Sequence, residues 1–192
     1  EIMPSLVGSE MCIRDREKEM IIFAKYGEYD RRELLEECLT KYLETMKKTK
    51  LEGELTELKN HNDKPYFKDY PDVRFSISHS GALVVVAMAQ TEVGIDIEEF
   101  RPRAYQKVVE NVFTKGEAKE VKDLETFLAV WTRKEAYLKL TSEGLSGVRS
   151  NDVSGDLFYE GKRVVATPLN IFAGYVGTVV AEDQPVIFVD LD

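Results

Sequence analysis

Two stretches of this chain alternate strictly between apolar and polar side chains, and a run with no polar break lies between them. In "VRFSISHS" (73–80), Val73, Phe75 and Ile77 share one side; in "EVGIDIEEF" (92–100), Val93, Ile95 and Ile97 do. A period of two is the mark of a strand with one buried face. The run between them, "ALVVVAMAQ" (82–90), is apolar throughout and reads as a buried strand or a buried helix segment. The period then changes. In "LETFLAVWTRKEAYLKL" (124–140), Leu124, Phe127, Leu128, Trp131 and Leu138 fall on one stripe of a helix, and Glu135 sits in the middle of that stripe.

The remaining segments extend this pattern. "MIIFAKYG" (20–27) reads as a strand. In 29–48, Leu34, Leu35, Cys38, Leu39, Tyr42, Leu43 and Met46 recur at helical spacing behind a plausible cap at Asp30. Residues 60–72 are rich in turn formers and read as a loop. Helices are expected over 104–113 and 115–123, with Thr114 as a cap, and over 124–141. Beyond Gly144 the strand pattern returns: "GDLFYEGKRVVAT" reads as a hairpin turning at Gly-Lys, followed by "IFAGYVGTVVAE" and "PVIFVDL". The order predicts an α+β fold of two similar halves related by a pseudo-twofold. Each half is a small, mostly antiparallel sheet packed with helices, 17–100 and 101–192, joined near 98–103. The opening "EIMPSLVGSEMCIRDR" (1–16) shows no clear period and no signal-peptide core. It reads as a non-native extension, with a short native strand or a tail as the alternative.

Composition narrows the function classes. A length of 192 residues suits one ordinary domain or two small halves sharing a core. A formal net charge of -9 disfavours nucleic acid as a main partner, because binding phosphate needs clustered Lys and Arg. No apolar run reaches a membrane-spanning length. The two cysteines, Cys12 and Cys38, make no disulfide framework, and a reducing cytoplasm is the expected setting.

The carboxylates carry the chemistry. On a strand over "VGIDIE", Gly94, Asp96 and Glu98 face one way, with the two acids roughly 6.6 Å apart along the strand. Gly94 leaves open space beside them. Like charges so placed repel unless water or a cation separates them. Two carboxylates with water and phosphate oxygens are a common way to hold Mg²⁺. Glu135 offers a third carboxylate, since an acid on a buried stripe is costly unless it is paired or binds a metal. The plain alternatives are a Glu135–Lys139 helix salt bridge and a solvated Asp96/Glu98 sheet face. "SISHSG" (76–81) offers hydroxyls, an imidazole and strand-end N–H groups for a phosphate, or is an ordinary polar turn. There is no G-x-S-x-G elbow, no phosphate-binding P-loop, no G-x-G-x-x-G and no zinc-type Cys/His cluster.

Taken in order, "DKPYFKDYPDVRFSISHS", "VGIDIEEF", "FTKGEAKEV" and "FLAVWTRKEAYLKLTSEGLS" resemble the 4′-phosphopantetheinyl transferases. The similarity is to their longer, pseudo-dimeric branch, which activates peptide and polyketide synthases. It runs from about Lys64 to Ser146. The resemblance implies transfer of the phosphopantetheine arm of coenzyme A to a serine of an apo acyl or peptidyl carrier protein by a Mg²⁺-dependent monomer. It implies a metal site at Asp96, Glu98 and Glu135, and a catalytic set of Glu135, as the base, with Lys139 and Asp96. It places Lys134 and Lys139 near the pyrophosphate, Ser78 and His79 on the coenzyme phosphates, Lys64 in the basic loop, and Arg32, by a loose alignment, near the 3′-phosphate.

Two departures stand out. Asp63 replaces the glycine the family usually places before Lys-Pro-Tyr, and the segment before it is short and highly charged. Both bear on the coenzyme contacts rather than on the acids. Between Arg101 and Lys139 about nine Lys/Arg stand against six Asp/Glu, so the helices over 104–122 are expected to receive an acidic carrier. Two other classes share the acids: a Mg²⁺-dependent nucleotide phosphohydrolase, which needs no protein acceptor, and a degenerate module that binds coenzyme A or carrier without transfer.

Overall fold

The strand-like runs pair into two four-stranded sheets in the computed structural model, which describes residues 19–191. The expected extension over 1–16 lies outside the described residues. In the first sheet, β1 (Met20–Tyr26) pairs antiparallel with β5 (Leu83–Ala89), and β5 with β4 (Arg74–Ser80). The last strand, β10 (Val186–Asp190), lies parallel to β1, with Phe188 opposite Ile22. In the second sheet, β6 (Val93–Glu99), β9 (Tyr175–Ala181), β8 (Lys162–Pro168) and β7 (Leu157–Tyr159) run antiparallel in that spatial order. A separate hairpin joins β2 (Glu57–Lys59) to β3 (Pro65–Phe67). The fold is α+β, and among the described residues β1–β10 is its parallel pair. The sheet begun by the first half is thus completed by a strand from the far end of the chain.

Helices cover the outer faces. Helix α1 (Arg31–Tyr42) starts where Asp30 Oδ1 accepts from the N–H groups of Arg32 and Glu33 at 2.9 and 3.0 Å. Its stripe of Leu34, Leu35, Cys38, Leu39 and Tyr42 packs with Ile21, Phe23, Val84 and Val86 of the first sheet. The opposite face of that sheet, with Ile22, Val85 and Ala87, meets Val93, Ile95, Ile97 and Val179 of the second. Helix α4 (Leu124–Thr141) lies on the far side, where Ala136, Tyr137 and Leu140 pack with Val164 and Val180. Two short helices, α2 (Gln106–Val112) and α3 (Lys115–Glu120), lead into it. The layers run helix, sheet, sheet, helix, as the buried alternation requires. Among the described residues no helix is long and apolar enough to cross a membrane.

Four local readings resolve or shift. The ambiguous run 82–90 is a strand, buried along its whole length. The expected loop 60–72 contains β3, a strand too short for periodicity to reveal. The expected helix 29–48 is α-helical only to Tyr42; a π-turn over Leu43–Lys47 follows, and Lys48 closes it at φ 52°. The hairpin turns at Glu160-Gly161, one residue earlier than expected, because both residues take the positive φ that a type I′ turn demands (49° and 77°).

Candidate functional site

The site forms where the edges of the two sheets meet. β4 and β6 face each other without a backbone ladder between them. Serines on one face of β4 supply the acceptors instead: Ser76 Oγ accepts from Ile95 N at 3.1 Å, Ser78 Oγ from Ile97 N at 3.3 Å, and Ser80 Oγ from Glu99 N at 2.9 Å. A two-residue step on both strands keeps the three bonds in register. This seam fixes β6 and the acids beside it, since the Ser78 and Ser80 hydroxyls also donate to Asp96 and Glu98.

Asp96 is buried, 6% exposed. Its Oδ1 accepts from Lys139 Nζ and from Ser78 Oγ, each at 2.8 Å. Its Oδ2 is buried without a hydrogen-bond partner. Burial raises the Asp96 pKa, and Lys139 opposes that rise. Lys139 Nζ also donates to the carbonyls of Ile95 at 3.0 Å and Ile77 at 3.4 Å, so it bridges both strands of the seam. Glu98 Oε2 accepts from Arg103 Nη1 at 2.9 Å and from Ser80 Oγ at 3.4 Å. Glu135 stands one helical turn before Lys139, half-buried. Burial raises its pKa, the negative charge of Asp96 adds to the effect, and Lys139 offsets part of it. Lys139 pairs with Asp96, rather than with Glu135 as in the alternative helix salt bridge.

Helix α4 reaches this position because Gly94 lets it. A Cβ on Gly94 would stand 1.9 Å from the carbonyl oxygen of Ala136 and 2.7 Å from Leu140 N. The sequence suggested open space beside the acids. That space is filled by the backbone of α4, which brings Glu135 and Lys139 over β6.

The stripe that carries Glu135 is buried at Phe127 and Leu128, and its C-terminal end, with Glu135, opens onto a cleft. A cavity of about 390 Å³ lies between Glu135, Leu138, Lys139 and Ser142 of the α4 side, Phe75–Ile77 of β4, and residues 62–65 of the β2–β3 turn. Lys64 projects from that turn. Its Nζ pairs with Glu92 and donates to Leu140 O at 2.9 Å, tying the turn to the end of α4. Burial lowers its pKa, with Glu92 opposing. Asp63 adopts φ 60°, the left-handed conformation that glycine takes freely and aspartate tolerates.

Other expected ligand contacts lie elsewhere. Lys134, expected near a pyrophosphate, is fully buried on another side of α4: its Nζ donates to Glu117 at 2.8 and 2.9 Å and to Asn151 O at 2.6 Å. Consecutive helix residues point about 100° apart, so Lys134 and Glu135 cannot face one cleft. Ser78 is buried and its hydroxyl serves Asp96 and Ile97 N, so it presents nothing to a phosphate. His79 is exposed, with Tyr29 edge-on at 6.4 Å, and does not line the cavity. Arg32 is exposed on the first turn of α1, paired with Glu36 and Glu54, and does not line the cavity either.

Several contributors carried weak sequence signals. Serines at 76, 78 and 80 repeat the strand period. Glu117 completes a Thr-x-x-Glu capping box with Thr114, and its buried carboxylate also accepts from Val153 N at 2.9 Å. Arg103 carried no signal.

The acids offer part of what a divalent cation needs. Carboxylate oxygens are the donors a hard cation selects, and the unpartnered Asp96 Oδ2 suits one. Yet among the described residues no three His, Cys, Asp or Glu side chains converge closely enough to share a metal ion. Lys139 holds Asp96 and Arg103 holds Glu98. The donor chemistry fits, and cationic side chains occupy it.

Acids from a strand facing a Glu/Lys pair from a helix, across a cleft with a basic turn, suit an enzyme of phosphate-ester or anhydride chemistry. Residues 92–162, which span β6, α4 and the turn at Glu160-Gly161, match the family model of the 4′-phosphopantetheinyl transferase superfamily. Over that segment the chain is similar to this superfamily. It is 37% identical over 89 residues to the 4′-phosphopantetheinyl transferase Sfp of Bacillus subtilis, covering 43% of this chain and 39% of the relative. It is 36% identical over 91 residues to psf-1 of Bacillus pumilus, covering 44% and 39%. To AcpT of Escherichia coli K12 it is 40% identical over 84 residues, covering 40% and 43%. The match thus spans about two fifths of the length of these relatives.

Proposed function

We propose that this protein transfers the 4′-phosphopantetheine group of coenzyme A to a serine of an apo acyl or peptidyl carrier protein, acting as a monomer in the cytoplasm. One observation carries the reading: α4 holds Glu135 and Lys139 over Asp96 at the wall of a cavity that Lys64 also lines, within the segment that matches the superfamily. The pseudo-twofold expectation draws support from strand order. With β10 and β7 left aside, the other three strands of each sheet share one order, the first beside the last and the last beside the middle one: β1-β5-β4 and β6-β9-β8.

The roles follow from position. The acceptor serine attacks the phosphorus that bears the pantetheine arm. The bond from that phosphorus to the bridging oxygen breaks, and adenosine 3′,5′-bisphosphate leaves with the electron pair. A serine hydroxyl is a weak nucleophile and needs a base beside it. Glu135, half-buried with its pKa raised, takes the serine proton. Lys139 lies beside the charge that develops on the leaving phosphate. Lys64 lines the coenzyme cavity and holds the turn against α4. Asp96, Glu98 and Glu135 are the residues that would hold Mg²⁺, which when bound neutralises the pyrophosphate oxygens.

The carrier docks on the helices between Arg101 and Lys122. Helix α2 buries none of its residues. The Lys134–Glu117 pair cancels inside the protein and leaves the basic excess at the surface. Reversing charge at Arg101, Lys107 and Lys119 raises the KM for carrier and leaves coenzyme A binding unchanged. Equal effects on both substrates sink the docking surface.

Intact-protein mass spectrometry tests the activity. An apo carrier incubated with this protein, coenzyme A and Mg²⁺ gains the mass of phosphopantetheine, and EDTA abolishes the gain. Coenzyme A consumed without a carrier points to the hydrolase. Coenzyme A bound with no gain on any carrier points to the binding module.

A further inference from the structure

We propose that Arg103 is a built-in stand-in cation that holds Glu98 until a divalent cation displaces it, and that this exchange frees the loop leading into α2. The proposal rests on the reading of Asp96, Glu98 and Glu135 as a metal site.

The geometry gives Arg103 two anchors. Nη1 donates to Glu98 Oε2 at 2.9 Å, and Nη2 donates to the carbonyl of Glu99 at 2.9 Å. The guanidinium is about one quarter exposed, at 27%, so the pair is partly shielded from solvent. Its neighbour Arg101 is 66% exposed and reaches Glu99 only at 3.6 Å. Arg103 thus differs from Arg101, the other basic residue of this loop, in holding the acid strand through two hydrogen bonds.

Asp96 and Glu98 each already carry one cationic partner, Lys139 and Arg103. Lys139 has two strand carbonyls besides Asp96 and sits on a helix packed along its length. Arg103 sits in the irregular segment between β6 and α2. Of the two, Arg103 is the one that can leave without moving a secondary-structure element. Its departure turns Glu98 from an ion-paired acid into a free ligand.

The consequence reaches the surface helix. Since α2 fully buries no residue and half-buries only Val108, Val109 and Val112, its position depends in good part on what ties its ends. At its start, Arg103 fastens the loop to β6, and the Tyr105 ring stacks on Phe127 at 4.7 Å. Removing the first tie leaves the ring contact at that end, with the backbone bonds of Phe100 and Arg101 further up the loop. Occupancy of the acid site and mobility of the carrier-docking helix are therefore coupled.

Mn²⁺ binding to the full chain, read from the free-ion electron paramagnetic resonance signal with coenzyme A present, tests the exchange. Arg103→Ala tightens Mn²⁺ binding roughly three- to fivefold, the worth of a partly exposed ion pair no longer in competition. In a Glu98→Gln background the same substitution has no effect, and Arg101→Ala shifts affinity far less. Hydrogen exchange supplies the second readout: Mg²⁺ with coenzyme A accelerates exchange at 101–108 in the unaltered protein and not in Arg103→Ala. Unchanged or weaker Mn²⁺ binding in Arg103→Ala overturns the proposal, as does an equal gain from Arg101→Ala. If the unaltered protein binds no Mn²⁺, the metal site itself fails.

Discussion

Gly94→Ala is the sharpest test of how the site is held together. The added methyl would stand 1.9 Å from Ala136 O, 2.7 Å from Leu140 N and 2.9 Å from Ala136 C. All three are backbone atoms of α4, so no side chain can swing away. Restoring an ordinary carbon–oxygen contact requires the helix to retreat by roughly 1.5 Å. A retreat of that size carries Lys139 Nζ, now 2.8 Å from Asp96 Oδ1, out of hydrogen-bonding range. Overpacking costs about 2 kcal/mol and the lost charge-assisted bond about another 2. With a urea m-value of ~2 kcal/mol/M, the unfolding midpoint falls by about 2 M at constant m. Gly177→Ala is the internal control. There the new carbon meets Asp96 O at 3.1 Å and two side-chain carbons at 3.4 Å, which small adjustments relieve. Its midpoint falls by under ~0.5 M. Equal shifts for the two glycines, or a Gly94→Ala shift below ~0.5 M, refute the argument that the α4–β6 approach depends on the missing Cβ.

Glu135→Gln removes transfer without loosening the fold. Its raised pKa means the folded state binds more protons than the unfolded one, so stability declines as pH rises from the ordinary glutamate value through the folded one. The variant flattens that decline in urea titrations across pH, although Asp96, raised in the same direction, leaves part of it. Near-normal transfer rates in the variant remove the base and metal roles together. Asp63→Gly relieves a left-handed residue and raises stability by about 0.5 kcal/mol, read by thermal unfolding, while tightening coenzyme A binding at a cavity that Asp63 lines. Lys134→Met leaves Glu117 buried without its cation and costs about 3–5 kcal/mol in urea unfolding, whereas Lys134→Met with Glu117→Gln recovers most of the loss.

Local features were legible in the sequence. Asp30 and Thr114 cap helices because their side chains reach N–H groups two and three residues on, and such reach is written in the spacing. The alternation over 73–80 and 92–100 became β4 and β6 for the same reason. Partner choice was not legible. β10 pairs with β1 across most of the chain, and no local pattern specifies that. The contents of the space beside Gly94 were equally hidden, because a glycine shows room without showing what fills it. Lys134 was readable as a motif residue, but the direction of its side chain was not. Its motif neighbours Glu135 and Lys139 face the cleft, and helical rotation alone turns Lys134 toward Glu117. The roles expected of Ser78 and Arg32 depended on where hydroxyl and guanidinium groups find partners, and those partners come from other elements.

The clamping of α4 explains why an acid can stay on its inward stripe. Glu135 stands in a field made more negative by Asp96 and Glu98, and a free helix would relax by moving away. Three attachments prevent that. Apolar packing of Ala136, Tyr137 and Leu140 holds one face to the second sheet. On one flank Lys134 is locked to Glu117, which is itself fixed by Thr114 N and Val153 N. On the other flank Lys139 is locked to Asp96 and two strand carbonyls. These contacts offset the repulsion without removing it, so the raised proton affinity of Glu135 persists in the folded state. The lysines before and after Glu135 thus act in opposite directions, one as an internal bolt and one as a bridge in the site. A Lys-Glu-x-x-x-Lys pattern places both on a single helix because residues one apart diverge while residues four apart share a face.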